Sequence, residues 1–219
     1  MTQIDFTMTF PDNFFDKAVN EKFNKTLVIR CLGALEKDVR DGDPQKYEPD
    51  LILSQNKGVE FTLASDSKKT ENYIKSIKDH TLSVENIEKI SIECIQKACK
   101  QKAEKHYVTD ETILSIILTV PVFVWAAPSY SECKDLLPPT FLPGLLQEVN
   151  KNYIQNRVFD DVLIHMPGFA YDWISYSCKE TREIQHWLLY DNEIRRKIYP
   201  YAIRTCFGKT IKGDSNASS

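Results

Sequence analysis

The sequence predicts an α/β protein, a mixed central sheet flanked by helices, and three observations carry that expectation. Apolar residues recur about every four positions through 14–41 (Phe15, Val19, Phe23, Leu27, Cys31, Leu35, Val39), the period of one helix face. Two strand-like runs, 47–54 and 59–64, are separated by Gln55-Asn56-Lys57-Gly58, a turn composition because Asn and Gly tolerate left-handed backbone angles. Residues 114–120 form a β-branched apolar run of the kind that suits a strand buried on both faces.

The remaining elements follow in order. Asp41-Gly42-Asp43-Pro44 ends the first helix, since Gly supplies a C-cap and Pro cannot continue it. The two strand-like runs make a hairpin, and the polar stretch 66–80 is irregular or weakly helical. Ser83, followed by Glu85 and Asn86, opens a long helix whose buried stripe is Ile87, Ile90, Cys94, Ala98 and then Tyr107. Lys97, Lys100, Lys102 and Lys105 crowd its C-terminal half, where cations favour the helix dipole. Residues 123–126 extend the following strand or form another, and Pro138, Pro139 and Pro143 punctuate a loop. A helix is expected over 145–154, strands over 158–166 and 171–176, and a C-terminal helix over 181–199, stopped by Pro200. No repeat or linker divides the chain, so one domain is expected over 1–211, with a small polar tail at 212–219 expected to be disordered.

Composition narrows the function classes. A formal net charge of -3 leaves no global basic signature, so a nucleic-acid surface has to be local. The six cysteines contain no CxxC pair, which points to reduced thiols in a cytoplasmic protein rather than to zinc or disulfides. The N-terminus lacks the basic-then-apolar order of a signal peptide, and the apolar stretch 113–127 is broken by Pro121, so no membrane partner is expected. Only seven glycines occur, without Walker spacing, which excludes a P-loop, and Gly-x-Ser-x-Gly is absent. His80, His106, His165 and His186 show no metal-like spacing, and His165 reads as structural.

One constellation carries chemistry. A Pro49-Asp50 pair begins the first strand of the hairpin, and Glu60-Phe61-Thr62 lies in the second. Side chains on one face of a strand recur every second residue, so Glu60 and Thr62 point the same way. Asp50, near the facing strand, can converge with Glu60 on one hard cation. Magnesium keeps several waters, so two carboxylates suffice.

The order helix, strand with Pro-Asp, turn, strand with Glu-x-Thr, helix, strand resembles the core of the PD-(D/E)XK nuclease superfamily, the restriction-endonuclease-like fold. Nine residues separate Asp50 from Glu60, and the resemblance runs to about Val120. It implies a metal-dependent nuclease hydrolysing DNA, with Mg2+ or Mn2+ at Asp50 and Glu60. Glu36, near the end of the first helix, is a further carboxylate at a place where the family often has one. Thr62 stands where the family usually has Lys, and it cannot supply an ammonium. Lys57, Lys68, Lys69, Lys97 and Lys102 are candidates to replace it. Lys68, Lys69, Lys97, Lys100, Lys102 and Lys105 are the expected phosphate contacts, because charge neutralisation dominates nucleic-acid affinity. A restriction or phage-defence role goes with the resemblance, and a homodimer is allowed. The missing Lys favours a rival reading, a module that keeps the fold without catalysis and binds nucleic acid or a protein. The alternation of Val59, Phe61 and Leu63 with Glu60, Thr62 and Ala64 also fits a plain half-exposed strand with Glu60 in water. The lysine run, interrupted by Glu104, also fits a solvated helix face.

Overall fold

In a computed structural model that describes residues 17–54, 56–64, 84–118, 141–167 and 173–187, the first helix, α1, runs Lys17–Cys31. It stops well before the Gly42 stop that its apolar period predicts. Gly33 takes a left-handed φ of 63°, its N–H donates to Arg30 O (3.2 Å), and the Ala34 N–H donates to Ile29 O (2.9 Å). These paired bonds satisfy the last carbonyls and turn the chain out of the helix. Leu35 is therefore exposed rather than on a buried face, and Glu36 lies in a short 3-10 turn, Glu36–Asp38.

Among the described residues, seven strands pair in chain order: β1 (Arg40–Asp41), β2 (Leu51–Ser54), β3 (Lys57–Ala64), β4 (Glu111–Leu118), β5 (Asp161–Pro167), β6 (Trp173–Ser177) and β7 (Arg182–Trp187). The pairs β3–β4 and β4–β5 are parallel and the others antiparallel, so the expected mixed sheet flanked by helices is present. Parallel neighbours need a crossover. Helix α2 (Val84–Ala103) lies in the first, and α3 (Leu142–Val149), passing into a π turn at Asn150–Ile154, lies in the second.

The two sheet faces have separate covers. On one, Val28 and Ile29 of α1 pack against Leu51, Val59, Phe61, Ile113 and Leu163. On the other, Cys94 and Ile95 of α2 and Leu145 and Leu146 of α3 pack against Ala64, Leu114, Ile116 and Ile164. Strand β4 is buried at every position from Thr112 to Leu118, as its continuous apolar run predicts. Burying one Leu or Ile contributes about 1.5–3 kcal/mol, so this central strand anchors both layers.

The C-terminal helix expected from residue 181 does not form over 182–187. Residues 182–187 are strand β7, antiparallel to β6 with Arg182 opposite Ser177 and Trp187 opposite Trp173. Thr181 has a left-handed φ of 53°, which a right-handed helix cannot use, and the hairpin satisfies backbone groups along β6. The expectations for 66–80, 123–126, 188–199 and the tail lie outside the described residues, as do Lys68 and Lys69. Among the described residues, Cys31, Cys94, Cys99 and Cys178 are free thiols, and no helix is long and apolar enough to cross a membrane.

Two glycines make a testable contrast. A Cβ on Gly33 meets nothing within 4 Å, so Gly33→Ala should cost only the left-handed conformation, roughly 1–2 kcal/mol. A Cβ on Gly42 would stand 1.7 Å from the Pro49 carbonyl oxygen, so Gly42→Ala should lose more by forcing backbone apart. Urea denaturation reads both, and a Gly42→Ala protein as stable as wild type would contradict the packing described.

Candidate active site

The Pro49-Asp50 step is fixed from several sides. Pro49 sits between two glycines: a Cβ on Gly58 would lie 2.2 Å from Pro49 Cγ, and Gly42 leaves no more room on the other side. The Gly42 N–H donates to the Asp50 carbonyl at 3.0 Å. Ahead of it, Arg40 forks onto Glu48 through bonds of 2.6 and 2.8 Å, and Glu48 also accepts the Asp43 N–H at 2.9 Å. Those contacts, Arg40 first, bring the Glu48 carboxyl down to about 2. A closed loop thus delivers Asp50 to the start of β2.

Strand register then brings the two carboxylates together. Leu51 pairs with Val59 and Ile52 with Gly58, so the pair one residue further out is Asp50 and Glu60. The Phe61 N–H donates to Asp50 Oδ2 at 2.7 Å, which fixes that side chain against β3. Glu60 is only 2% exposed, which corrects the picture of a solvated residue on a half-exposed strand. Its Oε1 accepts from two ammonium groups, a very close one on Lys102 and one at 2.8 Å on Lys105. Lys102 is on the last turn of α2, and Lys105 lies just beyond it, tied back by its N–H to Lys102 O at 3.2 Å.

Electrostatics separate the two acids. Burial raises the Asp50 carboxyl above its ordinary value, and the neighbouring Glu60 charge adds to the rise; the Phe61 N–H and Lys102 oppose it. Burial also works against the Glu60 charge, but the Lys102 and Lys105 bonds outweigh it and hold Glu60 below the carboxylate range. Burial likewise opposes the Lys105 charge, and Glu60 more than compensates, so its ammonium is held above the usual range. Tyr107, from the segment after α2, places its hydroxyl against the same cluster. That hydroxyl is buried against Glu60, and burial first, then the Glu60 charge and a hydrogen bond to Glu60, raise it above the ordinary tyrosine range.

The other expected residues fall into three groups. Thr62 is on the Glu60 face of β3, half-buried, and brings no charge. Glu36 is exposed in its 3-10 turn; the α1 acid whose charge acts on Asp50 is Glu21. Lys57 pairs with Glu111 at 3.1 Å, while Lys97 and Lys100 line an open groove between α2 and α3 with Glu93, Gln96 and Glu148. The helical lysines therefore divide between two places rather than forming one track. Sequence reasoning missed Glu21 because it placed the helix end too late, and missed Tyr107 as a site residue because its spacing matched the buried stripe.

A second polar group is structural. Ser115 Oγ meets His165 Nε2 at 2.9 Å, and His165 Nδ1 meets Ser175 Oγ at 2.6 Å. Asn24 of α1 completes the chain through Ser115. Full burial pushes His165 down to about 3, so the ring stays neutral, and no route to solvent gives it a substrate.

The donor set at Asp50 and Glu60 is hard oxygen, the kind magnesium and manganese accept. Among the described residues no three His, Cys, Asp or Glu side chains gather as a metal cage, so an ion here would rest on two carboxylates and waters. Comparison with protein-family models, curated proteins and solved structures found no match.

Removing either acid should act oppositely on the metal-free protein. Glu60→Gln strands the largely buried Lys102 ammonium and should cost about 3–5 kcal/mol at pH 7. Glu60 has a depressed value, so its contribution is present above the unfolded value of 4.5 and fades as pH falls. Asp50 has a raised value, so its charge costs stability once pH rises through its folded value, above 3.8. Asp50→Asn should therefore raise the melting temperature in chelator at pH 7, and the gain should vanish near pH 3. A lower melting temperature for Asp50→Asn at pH 7 would show that the two carboxylates do not repel.

Proposed function

We propose that the protein is a metal-dependent nuclease that hydrolyses DNA phosphodiester bonds, built on a restriction-endonuclease-like core. The observation that carries this reading is Asp50 opposite Glu60 across the hairpin with the Lys102 ammonium on Glu60. The order α1, β2, β3, α2, β4, with Pro49-Asp50 before β2 and Glu60-Phe61-Thr62 within β3, supports it.

Magnesium or manganese, held by Asp50 and Glu60, would supply a bound water of lowered pKa and positive charge against the phosphodiester. The chain's own groups do the rest. Phe61 N–H orients Asp50 by occupying Oδ2, leaving Oδ1 for a ligand. Lys102, reaching from α2 onto the face that Thr62 shares, supplies the ammonium that Thr62 lacks, where it can stabilise charge developing on phosphate oxygens. Lys105 is half exposed and extends the positive charge outward, where a DNA backbone would lie.

One observation favours the rival reading of a nuclease-fold module without catalysis. Two ammonium groups already balance Glu60 within the chain, so the cluster is stable without a cation.

Cleavage of plasmid, linear and single-stranded DNA with magnesium, manganese or chelator separates the two. The nuclease reading expects metal-dependent cleavage, lost by a factor of about 100 or more in Lys102→Met, the scale of removing one preorganised charge-stabilising group. Adding Thr62→Lys to Lys102→Met should recover part of it, because both positions serve one face. No cleavage of any DNA form with either metal leaves the binding module.

A further inference from the structure

Among the described residues, the large apolar side chain most open to solvent is that of Tyr47, 71% exposed. Its backbone is fixed in a conformation that costs energy. Tyr47 closes the 3-10 turn Pro44–Lys46 with a left-handed φ of 58°, an angle that Gly or Asn takes more readily than an aromatic residue. Its N–H donates to Pro44 O at 3.3 Å, and its carbonyl accepts the Val108 N–H at 3.2 Å. Glu48, next in the chain, is gripped by the Arg40 fork, and Pro49 is wedged between two glycines. A ring that buries little, carried on a rigid and strained backbone, serves something outside the fold better than it serves the fold.

The place of the ring narrows what that is. Only Glu48 and Pro49 separate Tyr47 from Asp50. The bond from Val108 joins Tyr47 to the segment after α2, the same segment that carries Lys105 to Glu60. Val108 is exposed as well. Lys46 and Lys105 are both more than half exposed, Lys46 with only a 3.4 Å surface pair to Asp43. One corner beside the two carboxylates thus presents an aromatic face, an apolar neighbour and accessible positive charge. Proteins that hold single-stranded nucleic acid combine these parts: cations follow the phosphates, and an aromatic ring takes the face of a base. Inside a duplex both faces of each base are covered by its neighbours, so the ring has a partner only where a base is unpaired.

We propose that Tyr47 is a stacking platform for an unpaired base, and that the substrate class of this site is single-stranded DNA, with the strand's phosphates running past Lys105 to the carboxylates. The proposal rests on the DNA-binding reading above and adds to it a strand preference and a residue that the motif does not contain.

Tyr47→Asn tests this, because Asn tolerates the left-handed angle and has no aromatic face. Its melting temperature should equal or exceed that of wild type. Its affinity for a fluorescein-labelled single-stranded oligonucleotide, read by anisotropy on the full chain in chelator, should fall about tenfold, the scale of one stacked base. Tyr47→Phe keeps the face and should bind as wild type does. Wild type should bind the single strand more tightly than a blunt duplex of the same sequence. Equal affinity of Tyr47→Asn and wild type for the single strand overturns the proposal, and so does a preference for the blunt duplex; cleavage that depends on Lys102 would still leave the nuclease reading standing. A Tyr47→Asn protein clearly less stable than wild type shows that the ring supports its own loop, and overturns the proposal too. Single-strand binding that depends on Tyr47, without cleavage in magnesium or manganese, upholds the platform and sinks the nuclease reading in favour of the binding module.

Discussion

A carboxylate with 2% of its surface exposed stays ionised on a sheet face only if cations are brought to it. Taking such a group out of water costs several kcal/mol before any partner arrives. At Glu60 the partners come from the last turn of α2 and the residues just after it, and this sets where that helix must end. Because β3 and β4 are parallel, α2 runs back across the sheet and returns its C-terminal end to the edge where both strands begin. Lys102 and Lys105 arrive there, over the first half of β3. Main-chain bonds from Val108 to Tyr47 and from Glu111 to Asn56, at 3.2 and 2.8 Å, fasten the same corner. The ion pair, the crossover and the loop before β2 therefore support one another.

Asp50 is placed by sterics as much as by hydrogen bonds. Pro49 fits only because residues 42 and 58 are glycines, and the Arg40–Glu48 fork closes the loop that precedes it. The Pro of the Pro-Asp pair acts as a wedge between β3 and the chain leaving β1. Its value to the site is rigidity: the carboxylate that follows it has a fixed origin and one oxygen already committed to Phe61 N–H.

What could be read from the sequence divides along the range of the interactions involved. The β2–β3 hairpin, helix α2 and strand β4 follow from turn chemistry and from residues a few positions apart, and they form near where expected, except that α2 ends at Ala103, before Lys105 and Tyr107, and β3 begins at Lys57, inside the expected turn. The end of α1 was misplaced because the apolar period continues through Leu35 and Val39 after Gly33 has already taken the left-handed angle that ends the helix. Strand β7 was misread because pairing to β6 overrides a helical spacing over 182–187. Within the site, Asp50 and Glu60 were visible as a local spacing. Lys102 was one of five candidates, and nothing local could choose it, since it meets Glu60 across 42 residues of chain. Glu21 and Tyr107 depended on knowing where α1 ends and how the chain turns after α2.

The lysines make stability and chemistry compete at one atom. Asp50 and Glu60 carry two negative charges, and Lys102 and Lys105 bring two positive ones, so the metal-free cluster is balanced and has little net pull on a dication. On the proposed reading, a divalent ion needs one ammonium to withdraw from Glu60, and exposure decides which. Lys105 is 52% exposed, so its charge can return to water at small cost, as for any surface ion pair. Lys102 is 18% exposed and would be left unpaired in a largely dry place. On that reading the exchange would keep Lys102 beside the carboxylates and free Lys105 toward solvent. A neutral cluster would then become positive, with one ammonium inside and one exposed at its rim. Under the nuclease proposal that charge distribution would suit a phosphodiester, with Lys102 of α2 supplying the ammonium that Thr62 in β3 lacks.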